Sequence, residues 1–316
     1  PEPTRGRARA YLLASTERSF AGLRANYRAI GRVYPTYYDC RADGAFTGRD
    51  DARITGWARA RRITVLPRVN CQSTAVVHRI LTDGPTRTRW LEAIAEAARA
   101  GGFDGVNLDF EAGPAGDRAA YTAFVRDLAG RLHADGRLLS LAVSSKTGDH
   151  DPRHPRSGIF DYPALGAAAD EVLVMAWGYH WLTSAPGPIA PLSWIRDVAR
   201  YAASTAHAER FVIGTAAYGM DWPAGAGPSN PGTALEHAGM VALAARVGAV
   251  PERDPGSAEL VFSYTDGRGV RHQVRYPDAA TVEARQRAAA AGGVPRGFLW
   301  RLGDEDPAIW SLPTWG

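Results

Sequence analysis

Eight short apolar runs constrain this chain more than any other feature. They lie at residues 8–14, 32–38, 63–70, 105–111, 138–144, 171–177, 211–218 and 297–302. Stretches with apolar residues at three- and four-residue spacing separate them, as at residues 86–100, 117–134 and 192–206. That spacing is the period of an amphipathic helix. Parallel strands need a long crossover between them, so the alternation predicts a parallel α/β fold. Eight is the number of strands that closes a (β/α)8 TIM barrel, and 316 residues is an ordinary length for one with an insertion. The alternation lapses between about residues 225 and 290, where Leu260–Thr265 and residues 270–276 flank Asp266-Gly267-Arg268-Gly269, a hairpin signal. The expectation is a single barrel over residues 1–316, with a small α+β insertion after its seventh strand, beside the mouth.

Composition excludes several classes. No run of 18 apolar residues occurs, so no transmembrane helix is expected. The opening Pro1-Glu2-Pro3-Thr4-Arg5-Gly6-Arg7 does not read as a signal peptide and decides little about targeting. Net charge is +4, and Lys146 is the one lysine among 37 basic residues. The arginines are scattered among acids, with neither a basic block nor an RNA-binding motif. Cys40 and Cys71 are too few and too far apart for a zinc motif. They fall at corresponding ends of neighbouring strands, where a disulfide, which would favour an exported protein, and two buried thiols are both open readings. No other residues have metal-ligand spacing, and Gly292-Gly293 is too weak a signal for a phosphate loop.

The fourth run carries the chemistry. In Phe103-Asp104-Gly105-Val106-Asn107-Leu108-Asp109-Phe110-Glu111, apolar Val106, Leu108 and Phe110 alternate with Asn107, Asp109 and Glu111. With a side-chain period of two, the polar residues share one face and lie about 6.5–7 Å apart. Two carboxylates that close in a poorly solvated place resist ionising together, so one pKa rises. A raised carboxylic acid beside an ionised partner is what acid-catalysed glycoside cleavage needs. A structural polar cluster, or the exposed face of an amphipathic strand, is the competing reading. Barrel sites lie at the C-terminal strand ends, so Glu111 should project into the mouth as general acid and then general base.

The stretch Asp104-Gly105-Val106-Asn107-Leu108-Asp109-Phe110-Glu111 resembles the D-G-x-D-x-D-x-E signature of family 18 glycoside hydrolases, the chitinase-like enzymes. Asn107, where most members carry aspartate, is similar to the branch of bacterial spore-cortex and peptidoglycan N-acetylglucosaminidases. Val174-Met175-Ala176-Trp177-Gly178-Tyr179-His180-Trp181, Pro186-Gly187-Pro188-Ile189-Ala190-Pro191-Leu192, Tyr218-Gly219-Met220-Asp221-Trp222 and Gly297-Phe298-Leu299-Trp300-Arg301-Leu302-Gly303 follow in the order that branch has.

The resemblance implies a substrate-assisted mechanism, the exception to the two-carboxylate scheme. The substrate's 2-acetamido oxygen attacks the anomeric carbon while Asp109 orients that group and stabilises the oxazolinium-like intermediate. Asn107 would support Asp109 by a hydrogen bond without adding charge, and Asp104 would be structural. Relatives commonly read Met-x-Tyr-Asp on the sixth strand; here Met175 and Trp177 take the substrate-facing positions and Gly178 replaces the aspartate. An indole has no hydroxyl, so Tyr179 would deliver one from a displaced backbone, which Gly178 eases. Otherwise the site is slower, altered in specificity or inactive. Trp300 reads as an aromatic floor under the reacting sugar or as core packing. Tyr218 reads as a second contact or as packing, and Asn70 as a substrate contact or a cap for the following helix. Lys146 reads as a groove cation or, more simply, as a solvated loop residue. His180 and Trp181 border the cleft without a catalytic role.

The function expected is a retaining hydrolase of β-linked N-acetylglucosaminides, with peptidoglycan favoured by Asn107, residues 186–192 and the closing region 300–310. Chitin oligosaccharides or glycans are alternative substrates, and a lectin-like barrel the alternative class. The retained Asp109 and Glu111 favour the enzyme. The resemblance implies no cofactor or metal, an N-acetylglucosamine-containing polysaccharide or oligosaccharide as partner, no nucleic acid or membrane, a monomer, and a secreted or cell-wall location.

Overall fold

The computed structural model describes residues 8–149 and 155–313; the N-terminal residues 1–7 read above for targeting lie outside them. Eight strands form the barrel: β1 (Ala8–Leu12), β2 (Ile30–Cys40), β3 (Arg68–Cys71), β4 (Gly105–Phe110), β5 (Leu138–Ser144), β6 (Glu171–Met175), β7 (Phe211–Ala216) and β8 (Gly297–Trp300). Each pairs in parallel with its sequence neighbour, and β8 pairs with β1 to close the ring. The third expected run is split. Thr64–Val65 pairs with the start of β2, and β3 begins only at Arg68. Pro67 lies between them; it has no N–H to give a ladder.

The barrel interior is filled in two contrasting layers. Near the bottom, Glu171 is buried against Arg9 (2.5 Å), Arg32 (2.9 Å) and the Tyr34 hydroxyl (2.5 Å). Burial opposes ionisation of Glu171, but Arg32 and Arg9 overcome it and hold the carboxyl below its usual range. Above it pack Tyr11, Tyr34, Leu66, Leu173, Val212 and Phe298, reaching up to Met175, Trp177 and Trp300. Outside, helices such as Gly84–Ala100, Arg118–Ala134 and Leu192–Ala203 bury their apolar faces on the sheet. Among the described residues no helix is long and apolar enough to cross a membrane.

After β7 the chain builds a five-stranded antiparallel sheet, in the order Thr233–Leu235, Gly219–Pro223, Arg271–Tyr276, Leu260–Thr265, Glu252–Arg253. The sheet thus begins at Gly219, directly after Tyr218, and the hairpin around Asp266 is its centre. Helix His237–Val247 covers it through Met240, Leu243 and Ala244. Helix Ala279–Ala291, capped by Asp278, returns to pack on the barrel through Val282 and Ala289. Glu259 is buried and joins the pieces: it accepts from Arg285 (2.7 Å) and from the backbone N–H groups of Ile189 (2.9 Å) and Ala190 (3.2 Å). The insertion is therefore tied to the loop after β6, the loop that carries Trp177.

Candidate active site

Alternation along β4 turns Asn107 and Asp109 into the barrel, where both are buried. Glu111 follows the last strand residue, Phe110, and its backbone N–H still donates to the Cys71 carbonyl at 3.1 Å. Its side chain keeps 31% exposure, against 2% for Asp109. The two carboxylates share one cation. Arg68, buried on β3, donates from Nε to Asp109 Oδ2 and from Nη2 to Glu111 Oε1 at 2.7 Å. Gln72 adds a second donor to Glu111 Oε1 at 2.9 Å. Burial pushes the Glu111 pKa up, the negative charge of Asp109 adds to this, and Arg68 and Gln72 offset part of it. Burial works against the charge on Arg68, yet Asp109 and Glu111 prevail and raise its pKa.

Arg68 is not among the residues the sequence singles out. The signal is present in Arg68-Val69-Asn70: Arg68 is two residues before Asn70 and so shares its face. The register sets Asn70 beside Asp109 and Arg68 beside Asn107. Asn70 accepts from Arg68 Nη2 at 2.9 Å and donates to Asp39 at 2.8 Å. It does not cap the following helix; Ser73 does.

Asn107 does not bond Asp109, contrary to expectation. Its Oδ1 accepts from the Tyr11 hydroxyl at 2.7 Å and its Nδ2 donates to Ser140 at 3.0 Å. Neighbouring side chains on one strand face lie too far apart for a direct bond between short groups, so cross-barrel partners take over. Burial, and then Asp109, push the Tyr11 phenol well up, so it remains a donor. Asp109 Oδ1 is buried with no hydrogen-bond partner among the described residues.

The aromatic side chains converge over this cluster. Trp300, half-buried at the end of β8, meets Tyr11 edge-on (5.1 Å between centroids), stacks with Trp177 (6.3 Å) and has the Arg68 guanidinium 5.4 Å from its ring centre. The Trp300–Arg301 peptide is cis. Met175 ends β6 beside Trp177 in the interior layer. Tyr218 packs on Ile189, Met220 and Trp222. Burial pushes its hydroxyl up to about 12, with Arg285 opposing and Glu111 adding. Gly178 has φ +77°, a left-handed turn that favours glycine. Beyond it, the Tyr179 ring is 36% exposed and leans on His180 and on Trp194 of the helix Leu192–Ala203.

Other expected roles change. Lys146 is not a solvated loop residue: it is fully buried, bonded to Asp149 (3.0 Å) and the Phe160 carbonyl (2.9 Å), and burial lowers its pKa against the pull of Asp149. His180 meets the Pro188 carbonyl at 2.9 Å and shapes its own loop. Asp104 accepts the Val65 N–H at 2.8 Å, a structural contact. Cys40 and Cys71 form a disulfide across the ends of β2 and β3. Among the described residues no group of three His, Cys, Asp or Glu side chains could hold a metal ion.

The chain is similar to known proteins over most of its length. A sporulation-specific glycosylase, YdhD, of Bacillus subtilis is 30% identical over 230 residues, 73% of this chain and 54% of that protein. The cortical fragment-lytic enzyme of Bacillus subtilis is 30% identical over 235 residues, 74% of this chain and 54% of that one. The chain thus spans about half the length of these curated relatives. Among solved structures, a chitinase from Chromobacterium violaceum matches with TM-score 0.85 and 30% identity over 96% of both chains. The Bacillus cereus spore cortex-lytic enzyme SleL shares the fold, with TM-score 0.86 and 24% identity over 98% of this chain and 75% of that one. The model of glycosyl hydrolases family 18 matches residues 63–306, and the chain belongs to that family.

Proposed function

We propose that this protein is a retaining hydrolase of β-linked N-acetylglucosaminides that works by substrate-assisted catalysis. One observation carries the reading. The unpartnered Asp109 Oδ1 is a buried acceptor beside a carboxyl, Glu111, whose pKa is raised. A buried acceptor without a donor costs about 1–3 kcal/mol, and an incoming acetamido N–H removes that cost.

The proposed reaction uses both carboxyls. Glu111 protonates the glycosidic oxygen as the C1–O bond breaks, and the acetamido oxygen forms its own bond to C1. Asp109 accepts the acetamido N–H and balances the positive charge of the oxazolinium. Glu111, now ionised, takes a proton from water as the water oxygen bonds to C1 and the ring opens. Two displacements at C1 leave its configuration unchanged. Trp300 would floor the reacting sugar, with Trp177, Met175 and Tyr218 as its walls. Asn70 and Tyr179 would touch substrate or support the site from the rim.

Peptidoglycan is the proposed polymer, on the strength of the cortical fragment-lytic relative. The similarity to a chitinase supports chitin oligosaccharides as the second substrate. Action outside the cytoplasm, in secretion or at the cell wall, suits the Cys40–Cys71 bond. The test is proton NMR of fresh product from peptidoglycan and from N-acetylglucosamine oligomers. The β-anomer should appear first, and de-N-acetylated oligomers should resist cleavage. Initial release of the α-anomer, or equal cleavage of the de-N-acetylated oligomers, would contradict the mechanism.

A further inference from the structure

We propose that Arg68 is a positioning residue that apportions charge between the two carboxylates, holding Asp109 as the anion and leaving the working proton to Glu111. This rests on the roles given to Asp109 and Glu111 above.

The geometry is asymmetric. Arg68 Nε is the only hydrogen-bond donor to the Asp109 carboxylate among the described residues, and Asp109 is buried. A carboxylate in such a place needs a counter-charge or takes up a proton. Glu111 is more exposed, shares Nη2 with Asn70 and has Gln72 as a second donor. The pair thus has one buried carboxyl held by a single cation and one more exposed carboxyl with two donors.

Among the described residues, no other group near the pair can take this role. Asn107 is an amide whose hydrogen bonds go to Tyr11 and Ser140. Tyr11 on β1, Tyr121 on the helix after β4 and Tyr218 after β7 lie within electrostatic reach of a carboxylate, and burial raises all three phenols. They therefore stay neutral. Asp39 on β2 lies behind Asn70, and Arg285 reaches Glu259 and the Ala216 carbonyl instead. Arginine keeps its charge throughout the working pH range, so the counter-charge does not titrate away. Its orientation is fixed by Asn70, which Asp39 holds, and by the Trp300 ring.

The test is the pH–rate profile of Arg68→Met, Arg68→Gln and Arg68→Lys, each checked for folding by circular dichroism. Removing a cation in contact with a carboxylate raises its pKa by about one to three units. Both limbs in the neutral variants should therefore move to higher pH by about that amount, alongside a fall in kcat. Arg68→Lys keeps the charge, so its limbs should stay near wild type while kcat falls. A merely structural arginine would lower activity at every pH with the limbs unmoved, and that result, or displaced limbs in a folded Lys variant, overturns the proposal. The Glu111 carboxyl is also followed without turnover, by infrared difference titration against Glu111→Gln. If wild type cleaves neither polymer, the functional reading fails, and the infrared midpoint still decides on Arg68: it should rise in the neutral variants, and an unchanged midpoint refutes the role.

Discussion

The Tyr11 hydroxyl donates to Asn107 Oδ1 at 2.7 Å, and this bond fixes which way the Asn107 amide faces. Its NH2 must then point to Ser140, at 3.0 Å. Asn107 is thus a neutral strut beneath Asp109. Asn107→Asp would add a charge about 6.5–7 Å from Asp109 on the same strand face. A like charge at that range disfavours ionisation, so the acid limb of the pH–rate profile should move up by about one unit. A profile superimposable on wild type would show that the position is electrically silent.

In the proposed mechanism Glu111 sets the alkaline limb. The acid step would need its protonated form, so activity should persist up to its pKa and be lost above it. Burial first, and Asp109 second, raise that pKa, which carries the limb above the range of an ordinary glutamate. Gln72 stabilises the ionised form by its 2.9 Å hydrogen bond. Gln72→Ala should therefore shift the alkaline limb further upward, by about half a unit to one unit, with little change in folding. A downward shift would be inconsistent with this assignment.

Trp300 tests the aromatic floor. Flat rings pack well on the C–H faces of sugars, and Trp300 is braced by Tyr11 and Trp177. Trp300→Phe should keep KM within about threefold, whereas Trp300→Ala should raise it about tenfold, some 1.4 kcal/mol of binding. Equal KM values for the two variants would return Trp300 to a packing role.

Glu171 tests the ion-pair cluster at the bottom of the barrel. Glu171→Gln leaves Arg9 and Arg32 without their shared carboxylate and should cost about 3–5 kcal/mol in a denaturant titration. The folded pKa of Glu171 lies below its unfolded value. Its contribution is thus present above the unfolded pKa and is lost as pH falls through the folded one. Wild type and variant should converge in acid; a constant gap down to the lowest pH would contradict the ion-pair account.

The barrel is legible in the sequence because each parallel strand needs its own crossover helix, which writes the alternation into the chain. The acidic pair is legible because carboxylates on alternate residues of an apolar strand are costly to bury unless a site uses them. Arg68 is not, because in a chain where nearly every basic residue is arginine one more carries no compositional signal; only its parity with Asn70 does. The Asn107 partners are hidden because both come from other strands, Tyr11 from β1 and Ser140 from β5. Lys146 misleads for the same reason: its burial depends on Phe160 and on the rings of Tyr162 and Tyr201, all distant in sequence. The split of the third strand, by contrast, has a local cause in Pro67.

The most direct test of the central claim compares wild type with Glu111→Gln on purified peptidoglycan and on chitin oligosaccharides, with products identified by mass spectrometry. Wild type should release fragments with new reducing-end N-acetylglucosamine, and Glu111→Gln should be slower by about 100-fold to 10,000-fold while still binding the sugar. Equal turnover by the two proteins would remove Glu111 from the mechanism. Binding by both with no product from either would make this barrel a carbohydrate-binding protein.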